Sequence, residues 1–194
     1  MMRSAKKPAF NFFFLLTIFL SLALNLIGSS LQIYLELPLF LDTIGTMLAA
    51  VLIGPWIGGL VGLMTNVIKG IFYTTTSLPF GLVNFGIGLI TGYLVIIFKG
   101  YERWYAPLLV GCVIALLTPL MAAPIATYVF GGITAHGIDK FVVAFIDSGN
   151  TILSSTFLGR LPTSFIDKLL SAFIVYGIIR VWPKLTNRRT LSDG

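Results

Sequence analysis

The stretch from Leu39 to Tyr73, LFLDTIGTMLAAVLIGPWIGGLVGLMTNVIKGIFY, constrains the fold more than any other part of the chain. It is apolar at both ends and glycine-rich in the middle. Asp42 opens it, Gly54-Pro55-Trp56 breaks it, and Asn66 and Lys69 lie in its second half. The break leaves two helices of about 16 residues, each about 24 Å long at 1.5 Å per residue. That is short for a ~30 Å hydrocarbon core. Short, glycine-faced helices with isolated polar residues suit the wall of a membrane cavity better than a plain anchor.

Composition places the chain in lipid. Of its 194 residues 57% are hydrophobic and 10% charged, against about 25% charged in soluble domains. The apolar runs are continuous, unlike the alternating segments of a β-barrel, so the expected fold is an all-α integral membrane protein. The net charge of +6 is concentrated at the ends, with Arg3, Lys6 and Lys7 before the first apolar run and Arg180, Lys184, Arg188 and Arg189 after the last. Basic ends of this kind orient a membrane chain and meet anionic headgroups. No basic stripe interleaved with aromatics offers a surface for nucleic acid. A single cysteine, Cys112, excludes an internal disulfide and a multi-cysteine metal site; it reads as a small buried hydrophobe.

Six short transmembrane helices are expected in one domain, over about residues 10–35, 40–54, 56–73, 80–98, 104–130 and 162–182, with both termini cytoplasmic. The first apolar run exceeds the h-region of a signal peptide and is followed by further spans, so it reads as a retained helix. Residues 131–161 are harder to place. Their Phe141–Phe157 part has the length of a span, but Asp147, Ser148, Gly149 and Asn150 lie at its centre. A central Asp costs about 2.5–3.5 kcal/mol on insertion. An even number of spans returns the basic tail to the cytoplasm, so this segment is expected to be an outer lateral or re-entrant piece between helices 5 and 6. Trp56, Trp104 and Trp182 then all fall at inner boundaries, as an interfacial belt would.

No GxxxxGK[ST], HExxH or GxSxG is present, and one His with one Cys cannot build a metal site alone. No catalytic residue, metal or cofactor is expected. His136 and Asp139 form a possible acid–base pair in a glycine-rich loop; a solvated loop histidine, or one that closes over a ligand, are the other readings. Polar residues inside apolar spans say more, because they are costly unless paired and tend to line a cavity. Asp42, Thr46, Asn66, Asn84, Asp147, Asn150 and Lys168 all map to the outer half of the six-span arrangement. Such amides and hydroxyls with few charges suit a neutral or weakly charged heterocycle. Plainer roles compete: Asn66 and Asn84 as interhelical glue, Asp42 as a helix cap, and Asp167 with Lys168 as a mutual pair.

The segments ALNLIGS (Ala23–Ser29), LPLFLDTIGTMLAAVLIGPWIGGLVGLMTN (Leu37–Asn66) and GGITAHGIDKFVVAFIDSGNTILSS (Gly131–Ser155) resemble the substrate-binding S components of energy-coupling factor (ECF) vitamin transporters. The resemblance covers nearly the whole chain. It implies a multi-pass protein of a prokaryotic cell membrane that binds one micronutrient in a pocket near the outer face, capped by outer loops. It further implies docking on a membrane coupling (T) subunit driven by two ABC-type ATPase subunits. The family's first helix often presents an Ala-xxx-Ala pair for docking; here the nearest small pair is Thr17-xxx-Ser21.

The resemblance leaves the cargo open among vitamins and deazapurine-type queuosine precursors, the LDTIGT pattern being similar to the latter group. In that reading Asp42, Asn66, Asn84 and Asn150 pair with a purine-like edge and Tyr73 or Tyr128 stacks on its ring. Pantothenate would call for a buried cation such as Lys69 or Lys168. Two other classes compete: a stand-alone ion-coupled carrier, against which no inverted repeat is visible, and a membrane enzyme acting on a lipid, for which only His136, Asp139 and Asp147 offer chemistry.

Overall fold

In the computed structural model, residues 12–134 and 137–187 are described, with side chains to Val181. Seven helices and no strands occupy them: α1 (Phe12–Tyr34), α2 (Ile44–Leu52), α3 (Pro55–Phe72), α4 (Ser77–Ile97), α5 (Ala106–Phe130), α6 (Asp139–Asp147) and α7 (Ile152–Asn187). Helices α1, α3, α4 and α5 are long and apolar enough to cross a membrane. Their outer surface is rich in exposed large apolar side chains, among them Phe19, Ile27, Phe72, Leu82, Leu120 and Val129. The buried set is unusually polar in turn. On α1 it consists of Thr17, Ser21, Asn25, Gly28, Ser29 and Gln32, three or four residues apart and so on one face. This is the inverse of a water-soluble amphipathic helix.

Close backbone approach holds the bundle together. Gly88 of α4 sits where a Cβ would lie 2.2 Å from the backbone nitrogen of Gly59, so α3 and α4 touch main chain to main chain. Gly45 of α2 similarly meets the carbonyl of Ser21 on α1. The turn between α2 and α3 uses Gly54, at φ +132°, followed by Pro55 in the first helical position. Between these contacts Met47, Ile87, Val110, Ile114, Ala172 and Val175 form the apolar core. At the end carrying the 98–105 connection, Tyr101 is buried and its hydroxyl donates to the Ala172 carbonyl of α7 at 3.0 Å. Burial pushes its phenol well above the ordinary range. Trp56 and Trp104 are exposed at this same region of the chain; the side chain of Trp182 lies outside the described residues.

Four expectations change. Residues 40–43, placed at the head of the second span, are instead part of a loop, in which Leu41 has a φ of +51° and only nine residues follow as helix. Segment 131–161 is not one lateral piece. It resolves into a short loop, helix α6, a turn at residues 148–151 and the first residues of α7. Gly149 supplies that turn at φ +86°, and Gly159 packs against Val142 so that α6 folds back on α7. The last helix consequently starts at Ile152 rather than near residue 162, running through Pro162, which forgoes one backbone hydrogen bond. Over 36 residues α7 is about 54 Å long, well beyond a hydrocarbon core. Cys112 is half-buried rather than buried.

Candidate functional site

The continuity of α7 determines what reaches the interior. Arg160, Ser164, Asp167, Lys168 and Ser171 lie at i, i+4, i+7, i+8 and i+11, on one helical face, and all are buried. The stripe meets α3, α4 and the 35–43 loop at the end of the bundle where α1 and α3 finish and α4 begins. Asp42 of the loop accepts from Lys69 Nζ of α3 at 2.8 Å and from Asn84 Nδ2 of α4 at 3.3 Å. Lys168 Nζ donates to Asp167 and, at 3.0 Å, to Thr43 Oγ1. The other carboxylate oxygen of Asp167 accepts from the backbone N–H of Leu41 at 2.9 Å. One ion pair thus fastens the loop to α3, and two hydrogen bonds, from Lys168 to Thr43 and from Leu41 to Asp167, fasten it to α7. Buried pairs of this kind cost desolvation and are retained where their position matters.

Two small adjoining cavities lie against this cluster, with volumes of about 30 and 50 Å³. Phe40, Asp42, Asn66, Phe80 and Arg160 line both; Lys69, Ser77 and Thr134 complete the first, and Val83, Asn84, Thr118, Ala122 and Lys168 the second. Phe40 and Phe80 give an apolar wall, and Phe80 stacks on Phe130 at 5.9 Å. Asn66 Nδ2 donates to the Gly62 carbonyl of its own helix at 3.2 Å. A wider open groove of about 530 Å³ lies at the same end, lined by Gln32, Ile33, Glu36, Tyr73, Thr74, Gly137 and Lys140. The two small cavities hold a few waters at most, whereas small-molecule sites usually measure about 300–1,000 Å³. An organic molecule would need the surrounding side chains or loop to move.

Of the residues singled out from sequence, Asp42, Asn66, Asn84 and Lys168 line the cavities. Thr46 is buried next to them but is consumed by Asn25, whose Nδ2 donates to it at 2.9 Å. Asp139 is buried and accepts from the Thr134 N–H at 2.7 Å and hydroxyl at 3.0 Å. Tyr73 lies in the open groove, within 3.3 Å of Ser30 Oγ. Two residues are not brought to the site. Tyr128 is 78% exposed on the outer side of α5, and Asn150 is exposed in the α6–α7 turn, donating to the Phe145 carbonyl at 3.0 Å. His136 lies outside the described residues. Thr17 and Ser21 do not form an outer docking surface either. Both are buried, Ser21 fully and with its backbone against Gly45 of α2, so they turn inward rather than outward in this bundle.

Sequence reasoning passed over Arg160, Phe40, Phe80 and Thr134. The signal for Arg160 was the helical spacing to Ser164, Asp167 and Lys168, hidden by starting the last helix after Pro162. It also passed over Asn25, whose Oδ1 accepts from the N–H groups of Gly45 at 2.7 Å and Thr46 at 3.3 Å. The cap residue of α2, Thr43, makes no side-chain capping bond, so a residue of α1 caps α2 instead.

Polar and ion-paired side chains thus converge on small cavities inside an apolar bundle. No curated protein and no solved structure matches the chain. Residues 13–179 match the family model described as ECF transporter, substrate-specific component. The match spans the loop, every described helix but the last turns of α7, and all the cavity-lining residues, and the chain belongs to the substrate-specific components of ECF transporters.

Proposed function

We propose that the Asp42–Lys69–Asn66–Asn84–Lys168 cluster is the micronutrient site, facing outward in a prokaryotic cell membrane with both termini in the cytoplasm. The observation that carries this reading is the convergence of polar side chains from α3, α4, α7 and the 35–43 loop on cavities otherwise walled by Phe40 and Phe80. Basic residues at both ends of the chain support the orientation. The cargo is a small polar organic molecule, a vitamin or a deazapurine-type precursor. Entry requires the 35–43 loop to lift, withdrawing Phe40 and breaking the Leu41–Asp167 bond. Docking on a coupling subunit with two ATPases then supplies the energy for delivery inward.

Native mass spectrometry of the gently extracted protein tests this. One small molecule per chain, lost in Asn84→Ala and Asn66→Ala variants that still elute as folded protein, is the expected result. Unchanged occupancy in both variants moves the site elsewhere. Uptake that needs no ATPase partner and collapses with an uncoupler would replace the coupled mechanism by an ion-driven one.

A further inference from the structure

Arg160 stands apart from the other two cations of the cluster. Lys69 and Lys168 each touch a carboxylate, Asp42 and Asp167. Arg160 is 3% exposed and lines both cavities, yet its Nε and Nη1 are buried without a hydrogen-bond partner. Among the described residues its one hydrogen bond runs from Nη2 to Thr134 Oγ1 at 3.1 Å. That hydroxyl donates in turn to Asp139 at 3.0 Å, so the nearest countercharge acts through Thr134 and leaves the rest of the guanidinium fork unused. An unmet donor on a buried charge costs more than one on a neutral group. Folding tolerates this where a later partner repays it.

We propose that Arg160 is the anchor for a carboxylate carried by the transported molecule. This rests on the cluster being the micronutrient site. Nη2 keeps a second N–H beside its bond to Thr134, and paired with the free N–H of Nε or of Nη1 it matches the two oxygens of a carboxylate better than any single acceptor. Such a carboxylate would meet the one cation of the cluster that touches no carboxylate directly, Asp139 reaching Arg160 only through Thr134. The carbon skeleton then extends between Phe40 and Phe80, and Asn66 and Asn84 meet its polar substituents. The cargo is thus a small organic acid rather than a neutral heterocycle.

The test is native mass spectrometry with fragmentation on the full chain in detergent, combined with thermal-shift measurements. The probes for the latter are matched acid and amide pairs: nicotinate with nicotinamide, and biotin with biotinamide. Wild type is expected to hold one molecule that loses CO₂ on fragmentation and to be stabilised by an acid but not by its amide. Arg160→Gln, eluting as folded protein, is expected to bind about 100-fold more weakly and lose the acid preference; Arg160→Lys is expected to keep part of both. A neutral or phosphate-bearing molecule in the wild-type site, or equal binding of acid and cargo by Arg160→Gln, overturns the carboxylate while leaving the site in place. A wild type that holds nothing and responds to no probe, in a preparation that retains the fold, overturns the site and the carboxylate together.

Discussion

Replacing Asn25 with Ala should destabilise the protein without touching any group in the cavities. Its side chain makes four hydrogen bonds to α2 and α3: two donated to the hydroxyls of Thr46 and Thr65, both at 2.9 Å, and two accepted from the N–H groups of Gly45 and Thr46. Interhelical hydrogen bonds in membrane proteins average about 0.6 kcal/mol, because the unfolded chain in a micelle also finds partners; four of them come to roughly 2–3 kcal/mol. The two N–H groups belong to the first turn of α2 and are buried there, so their loss sits at the upper end, about 1 kcal/mol or more each. A total of about 2–4 kcal/mol results, which for a chain of this size lowers the melting temperature by roughly 5–15 °C. Thermal unfolding in a mild detergent, followed by tryptophan fluorescence, measures it. Asn25→Asp should recover only part of the loss: a carboxylate still accepts from both N–H groups and from the Thr46 hydroxyl, but the Thr65 proton is committed to the Val61 carbonyl at 2.8 Å and a buried charge costs desolvation. A melting temperature of Asn25→Ala within about 1 °C of wild type would refute the assignment of Asn25 as the cap of α2.

Lys69→Met should cost about 3–5 kcal/mol by stranding the Asp42 carboxylate, and Lys69→Met with Asp42→Leu should recover much of the stability while abolishing binding, as unfolding and ligand titration would show. Ser21→Leu should unfold the protein even when no coupling subunit is present, because the side chain would enter the contact with Gly45; a folded variant that fails only to dock would restore this position to the docking surface. Tyr101→Phe should lower stability by about 1 kcal/mol in the same thermal assay through loss of the bond to Ala172. Tyr128→Ala should leave ligand affinity unchanged, since its ring faces away from the bundle; a loss of binding would bring α5's outer face into the site.

Much of the architecture was legible because its causes are local. Gly54-Pro55 ends one helix and begins another wherever it stands, and an apolar run flanked by bases needs no tertiary context to be read as a span. The site was legible where a polar residue sat alone in an apolar run, as Asn66 and Asn84 do. It was not legible where direction mattered. Thr17 and Ser21 have the spacing of a docking pair, but on a helix whose outer face meets lipid the polar residues are the ones that turn inward. Tyr128 lies on α5 near the right end of the bundle, yet only the packing of α5 on α7 decides that its ring points out. Asn150 looked like an intramembrane amide because the turn around Gly149 was read as part of a run. Proline misled at residue 162, where a helix breaker in water is tolerated once packing carries the helix past it.

Arg160 and Lys168 stand on one unbroken helix, eight positions apart, which is about 12 Å along its axis. A single residue inserted between them would turn everything beyond it by about 100° and carry either the arginine or the lysine out of the cavity. Related chains that keep this pocket should therefore change letters at the outward position 166 more readily than at the buried Thr163 and Ser164, but never change length across 161–166. The 148–151 turn, outside that register, is where they are free to grow or shrink.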